Sequence, residues 1–172
     1  MSNHIELSII LVTFNSLPAL EQSLISLTKS LNKNFELIVV DNNSTDNSVE
    51  TVLAYFPHAR IIKNNYNAGF AKACNLGVKN ANGELCLFYN PDLEIDIDSL
   101  DNLIDFMHKT ENVGAVSGRM RFPDDSFQAT CRNFPDTTNI FLSRGSALSK
   151  FFPTEKYYTL PDYEAVTKVD AV

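Results

Sequence analysis

Apolar runs of strand length alternate with stretches in which leucine or valine recurs every three or four residues. This alternation, repeated through residues 1–118, decides most of what the chain can become. Ile5 to Phe14 is apolar and gives way to polar residues, which predicts a buried strand. Leu17, Leu20, Leu24, Leu27 and Leu31 then share one helical face, with Pro18 in the first turn and Asn15 or Ser16 as the cap. Phe35 to Val40 predicts a second strand. Ser44 is expected to cap a helix whose inner stripe is Val49, Val52, Leu53 and Phe56, and Ala59 to Lys63 reads as a short strand. The helix after Gly69 should pack Phe70, Cys74, Gly77, Val78 and Ala81. Asn82–Gly83 should stop it, since both residues tolerate the left-handed conformation. Glu84 to Tyr89 predicts a strand, and Asp96 to His108 a helix carrying Leu100, Leu103, Ile104 and Met107. Val113 to Ser117 predicts one more strand. Strands alternating with helices imply an α/β fold, because parallel neighbours need crossovers and right-handed crossovers set helices on both faces of the sheet.

Beyond residue 118 the pattern changes. Arg119 to Phe122, Pro123 to Ser126 and Phe127 to Thr130 read as a hairpin, and residues 136–164 as loop with short helical turns. The expected division is therefore 1–118 for the α/β core and 119–172 for a hairpin with the start of a second region. With 172 residues and 44% hydrophobic composition, the chain can bury a core without staples. A formal net charge of -7 argues against a nucleic-acid binder, which needs a basic field to neutralise phosphates. Cys74, Cys86 and Cys131 make an odd number with no CxxC, which suggests neither a disulfide framework nor a zinc site. Cys74 and Cys86 read as core fillers. No apolar stretch reaches membrane-spanning length, and the amino terminus lacks the basic-then-apolar order of a secretory signal. A cytoplasmic location is expected.

In an open parallel sheet, ligands bind beyond the carboxyl ends of the strands. Those ends carry Thr13-Phe14-Asn15, Asp41-Asn42-Asn43-Ser44-Thr45-Asp46 and Asn90-Pro91-Asp92. Three familiar sheet folds fail here. No glycine precedes Gly69, so the glycine-rich turn of a dinucleotide-binding domain is missing. No GxxxxGK[ST] run occurs, and no acidic pair follows the first strand as a phosphoacceptor domain requires.

The remaining pattern resembles the family 2 glycosyltransferases with the Rossmann-like GT-A fold, and the resemblance covers nearly the whole chain. It rests on Ile10-Leu11-Val12-Thr13-Phe14-Asn15, Val39-Val40-Asp41-Asn42-Asn43-Ser44-Thr45-Asp46, Asn64-Asn65-Tyr66-Asn67-Ala68-Gly69-Phe70-Ala71 with Asn75, and Leu87-Phe88-Tyr89-Asn90-Pro91-Asp92. The Asn-Pro-Asp form and Cys131-Arg132-Asn133-Phe134-Pro135 resemble the rhamnosyltransferase-type branch. The resemblance implies a mostly parallel sheet flanked by helices that binds a nucleotide-diphosphate sugar. The donor it suggests is dTDP-rhamnose, transferred with inversion to a cell-surface glycan or lipid-linked oligosaccharide. It also implies Mg2+ or Mn2+ as cofactor and, with a lipid-linked acceptor, peripheral association at the inner face of the membrane.

The same resemblance assigns donor contacts to Thr13, Phe14, Asn15, Asp41, Asn67, Gly69 and Asn90, and the metal to Asp92. Each assignment has a plainer alternative. Asp41 suits a pyrimidine N–H, yet it could close the turn before Ser44. Asp92 is a hard oxygen ligand at a strand end, yet it could be an ordinary turn residue in the acidic run ending at Asp98. Asn67 could simply form an Asx-turn. Arg119, Arg121 and Arg132 could pair with diphosphate or remain solvated hairpin charges, and solvation is the simpler reading. Asp46 reads as a structural residue at a helix start, and His4, His58 and His108 as surface residues.

An inverting transfer needs a base, usually a carboxylate. The family's base lies in an acidic motif, and the resemblance runs out near Val169-Asp170-Ala171-Val172 before reaching one. No catalytic residue is therefore assigned, and the base is expected beyond Val172. Two function classes follow: a glycosyltransferase whose catalytic remainder lies elsewhere, and a non-catalytic nucleotide-sugar-binding module. An uncovered edge strand would also favour self-association into a homo-oligomer.

Overall fold

The strand β1, Leu7–Thr13, is buried along its whole length, and the rest of the sheet is organised around it. In the computed structural model, which describes residues 4–31 and 34–128, β1 pairs in parallel with two strands. On one side lies β2, Phe35–Asp41, from Leu7 opposite Phe35 to Thr13 opposite Asp41. On the other lies β4, Leu85–Tyr89, from Leu7 opposite Leu85 to Leu11 opposite Tyr89. The short β3, Arg60–Lys63, adds to β2, so the order is β3-β2-β1-β4 with every pair parallel.

Alternation along β1 feeds two layers. Leu7, Ile9 and Leu11 pack with Leu20, Leu24 and Leu27 of helix α1, Ala19–Ser30, and with Val52 of α2, Ser48–Tyr55. Leu100 and Ile104 of α4, Ser99–Lys109, complete that face. The opposite face sets Val12 and Val40 against Ala73 and Cys74 of α3, Phe70–Val78. The leucine stripe of α1 is the one its spacing predicts. Each fully buried leucine removed from water contributes about 2 kcal/mol.

Several expectations give way to longer-range contacts. Neither Asn15 nor Ser16 caps α1, and Ser44 does not cap α2; neither helix has a side-chain cap bond. The Asn15 and Ser44 side chains are spent between two facing loops, as described below, and Ser16 Oγ accepts from the Phe14 amide. The helix α3 ends at Val78, where Asn80 Nδ2 donates to the Leu76 carbonyl, and not at Asn82–Gly83. Asn82 and Gly83 have ordinary negative φ and serve the strands instead: Asn82 N donates to Glu36 Oε1 and Gly83 N to Ser8 Oγ. Phe70 and Val78 are exposed, so α3 buries a narrower stripe than its composition suggests. Cys86 is exposed rather than core, as is Phe88 beside it on the same face of β4. Both follow from the position of β4 at the edge of the described sheet.

The chain divides into compact units at 1–111 and 112–172. In the second unit, Val113 to Ser117 joins no strand ladder among the described residues. Its apolar run is short and broken by Gly114. The predicted hairpin forms from β5, Met120–Arg121, and β6, Phe127–Gln128, which pair antiparallel. Asp125 takes the left-handed conformation at its turn, and the Arg119 guanidinium lies 5.7 Å from the centre of the Phe127 ring. Cys131 to Pro135, with Arg132, and residues 136–164 lie outside the described residues.

Candidate functional site

From β1 the chain proceeds outward to β2 and β3, then returns to place β4 on the other side of β1. Strand order reverses between β1 and β4, so a crevice opens at their carboxyl ends. The ends of these strands and the loops after them hold every residue that the resemblance assigns to donor or metal.

Thr13 and Asp41 end their strands opposite each other and are both buried. Thr13 Oγ1 donates to Asp41 Oδ1 at 3.1 Å. The same oxygen accepts from Ser44 Oγ at 2.5 Å and from Ser44 N at 3.2 Å. Asp41 is only 3% exposed, and a carboxylate is tolerated there because these donors replace water. Asn15 takes the left-handed conformation (φ 50), which asparagine tolerates better than most residues. Its Oδ1 accepts from Thr45 N at 2.8 Å, and its own amide donates to Ser44 Oγ at 3.0 Å. Ser16 N donates to Ser48 Oγ and Leu17 N to Asp46 Oδ2, so the loops after β1 and β2 are zipped together. Burial pushes the Asp46 carboxyl up. Hydrogen bonds from Ser48 and Leu17 outweigh this and leave it below the usual aspartate value. Phe14 keeps an exposed ring at this rim.

The loop after β3 is tied to the same place by Asn42, a residue the sequence did not distinguish. Asn42 is 2% exposed. Its amide donates to the Thr13 carbonyl at 2.8 Å, and its Oδ1 accepts from Asn64 Nδ2 at 2.8 Å and Ala68 N at 3.4 Å. Asn42 and the exposed Asn43 look alike in a sequence, and only burial separates them. The loop then reaches Asn67, whose Oδ1 accepts from Gly69 N at 3.0 Å in an Asx-turn. Gly69 has φ 82, and a β-carbon there would meet nothing within 4 Å. The glycine therefore serves a backbone conformation that starts α3 and leaves free space beside it.

Across the reversal point, Asn90, Pro91, Asp92 and Leu93 form a turn closed by Leu93 N donating to the Asn90 carbonyl at 3.3 Å. Asn90 and Asp92 are exposed, and the Asp92 carboxylate has no hydrogen bond or ion pair among the described residues. Beneath the turn, Tyr89 is buried and bonded to Ser23 and to the Leu93 carbonyl. Burial pushes its phenol up, hydrogen bonds with Ser23 and Ser26 oppose this, and the charges of Glu94 and Asp92 add to it. Among the described residues no three His, Cys, Asp or Glu side chains gather as a metal site. A cation at this rim would therefore rest on Asp92 and on oxygens brought by a ligand. The open groove between α1 and α2 is lined by Glu21, Asn47, Glu50, Thr51, Ala54 and Tyr55, and shares no residue with the rim.

This arrangement is that of a known family, whose model, glycosyl transferase family 2, matches residues 8–162. The chain belongs to glycosyl transferase family 2. It is 26% identical over 168 residues to the N-acetylglucosaminyl-diphospho-decaprenol L-rhamnosyltransferase of Mycobacterium tuberculosis, a match covering 89% of this chain and 53% of the relative. It is 33% identical over 124 residues to the O-antigen biosynthesis protein RfbC of Myxococcus xanthus, covering 69% of this chain and 10% of that protein. This family 2 domain thus spans about half the length of the mycobacterial relative. Among solved structures it resembles the mannosyltransferase PcManGT from Pyrobaculum calidifontis, in complex with GDP-Man and Mn2+. The TM-score is 0.62 at 25% identity, over 72% of this chain and 38% of that one. S. aureus TarS 1-349 gives a TM-score of 0.56 at 27% identity, over 81% of this chain and 45% of that one. The fold is GT-A. No helix among the described residues is long and apolar enough to cross a membrane.

Proposed function

We propose that this domain is the donor-binding half of an inverting glycosyltransferase. Its donor is a nucleotide-diphosphate sugar held at the crevice between β1 and β4. The observation that carries this reading is the contrast between the two aspartates of the rim. Asp41 is buried and satisfied, which suits a fixed acceptor for a base N–H, whereas Asp92 is exposed with no hydrogen-bond or ion-pair partner among the described residues. A hard, uncommitted carboxylate fits Mg2+ or Mn2+, which take one or two carboxylates and complete their shell with phosphate and water. When bound, such a cation stabilises the charge that builds on a leaving diphosphate. Around it, Thr13 fixes Asp41, Phe14 presents an apolar face, and Asn15 holds the two loops together. Asn67 and Gly69 shape the opposite wall, and Asn90 stands beside the Asp92 carboxylate.

Similarity to a rhamnosyltransferase supports dTDP-rhamnose as donor and a glycan or lipid-linked acceptor. On this reading the protein works in the cytoplasm at the inner face of the membrane, by peripheral association. The test is calorimetry of dTDP, UDP and GDP with and without magnesium, on wild type and Asp92→Ala. Binding strengthened by magnesium in wild type and not in the variant is the expected result. Equal binding by both proteins at every magnesium concentration overturns the metal assignment, and no binding of any nucleotide overturns the donor reading. Asp92 is exposed and makes no hydrogen bond or ion pair among the described residues, so the substitution should change stability by no more than about 0.5 kcal/mol.

A further inference from the structure

Resting on Asp92 as the cation ligand, we propose that Tyr89 is the positioning residue for that carboxylate. Its phenol, braced by α1, locks the Asn90–Leu93 turn that carries Asp92 at its corner.

The turn is held at both ends of one residue. Leu93 N donates to the Asn90 carbonyl at 3.3 Å, which closes the turn from within. The Leu93 carbonyl accepts from Tyr89 Oη at 2.6 Å, which ties the turn to the strand below it. Tyr89 cannot drift, since its ring is fully buried opposite Leu11 of β1. Its oxygen accepts from Ser23 Oγ at 3.0 Å, which leaves the phenolic proton for carbonyl oxygens; Leu93, at 2.6 Å, is closer than Ser23 at 3.1 Å.

The same face of α1 secures the segment that follows. Ser26 Oγ accepts from Ile95 N at 3.0 Å and donates to the Ser23 carbonyl at 2.8 Å. Ser30 Oγ donates to the Ser26 carbonyl at 2.9 Å and lies 3.3 Å from the Ile95 carbonyl. Ser23, Ser26 and Ser30 fall on one side of the helix by their three- and four-residue spacing. A polar seam therefore runs along a helix whose neighbouring stripe is leucine, and its bonds reach Tyr89 of β4 and residues 95 and 96. Pro91 supplies a preset φ at the second position of the turn. With both flanks pinned, Asp92 projects from a fixed backbone although its own side chain makes no hydrogen bond or ion pair among the described residues. Partners that orient a metal ligand from behind typically alter metal affinity about 10- to 100-fold when removed.

The experiment measures Mn2+ binding by the paramagnetic signal of free Mn2+ in the presence of saturating dTDP. It uses the whole chain as wild type, Asp92→Ala, Tyr89→Phe and Ser26→Ala, with dTDP affinity in EDTA and a thermal melt for each. Tyr89→Phe keeps the ring and deletes the hydroxyl. It should raise the Kd for Mn2+ about tenfold and leave metal-free dTDP affinity unchanged. Ser26→Ala releases Ile95 and removes a hydrogen bond to the tyrosine while keeping the Tyr89–Leu93 bond, and should raise it about threefold; it also answers the question should Tyr89→Phe not fold. A merely structural tyrosine would lower the melting temperature and leave the Mn2+ constant untouched. That result, with Asp92→Ala losing Mn2+, overturns the positioning role alone. Mn2+ binding by Asp92→Ala equal to wild type, or no Mn2+ binding by wild type, removes the ligand reading and this inference with it.

Discussion

Gly83 lies so close to the central strand that a β-carbon on it would stand 2.5 Å from the backbone nitrogen of Ser8. The obstacle is the main chain of β1, which is hydrogen-bonded on both sides and has nowhere to move. Gly83→Ala should therefore cost about 3 kcal/mol, as overpacking against fixed backbone does. Gly69→Ala offers the contrast, since its β-carbon meets open space and only the backbone conformation (φ 82, ψ 163), one kept almost entirely to glycine, is penalised, at about 2 kcal/mol. Urea unfolding of the two variants beside wild type checks the order; equal losses would contradict it.

Asn42→Ala should destabilise by about 1 kcal/mol. It removes the acceptor of the half-buried Ala68 amide and Asn64 side chain. The tie between the loops after β2 and β3 goes with it. Amide exchange at Ala68 should speed up more than exchange in α1, and uniform acceleration across both would argue against a local clasp.

Glu36 gives a pH dependence with a definite sign. Burial pushes its carboxyl up, but hydrogen bonds from Ser8, Asn82 and Gly83 outweigh this and hold it below the ordinary glutamate value. Ser8 Oγ and Asn82 N both donate to Oε1 at 2.6 Å. A depressed native value means the unfolded chain takes up the proton first. The stabilisation is complete above the ordinary glutamate range and is lost as pH falls through the lower native value. Glu36→Gln should cost about 1 kcal/mol near neutrality, and the gap to wild type should close as pH falls through and below the ordinary glutamate range. Urea midpoints across that range check it, and a gap that widens on acidification would refute the assignment.

The parts legible from the chain alone were those governed by neighbours in sequence. Leu20, Leu24 and Leu27 announce a helix face because the period that groups them is local, and Thr13, Asp41 and Asp92 stand out as polar residues ending apolar runs. The parts that misled depend on what faces what across space. Asn15 and Ser44 have the chemistry of helix caps, yet a facing loop some thirty residues away competes for the same side chains and wins. Cys86 reads as core because its strand is apolar, and the order β3-β2-β1-β4 leaves one side of that strand uncovered among the described residues. Asn42 and Tyr89 gave no signal at all. Their importance lies in which hydrogen bonds they complete, and no spacing rule carries that.

The strand Leu7–Thr13 has a consequence for how the molecule breathes. Every one of its residues is sealed from solvent, and Leu7 to Leu11 are flanked by strands on both sides. The amides of that doubly flanked stretch can meet deuterium only when the unit 1–111 comes apart as a whole, whereas a strand with one open flank can fray alone. The slowest-exchanging protons of this domain should therefore sit at Ile9 to Leu11, and their rate is a direct gauge of its global free energy of unfolding.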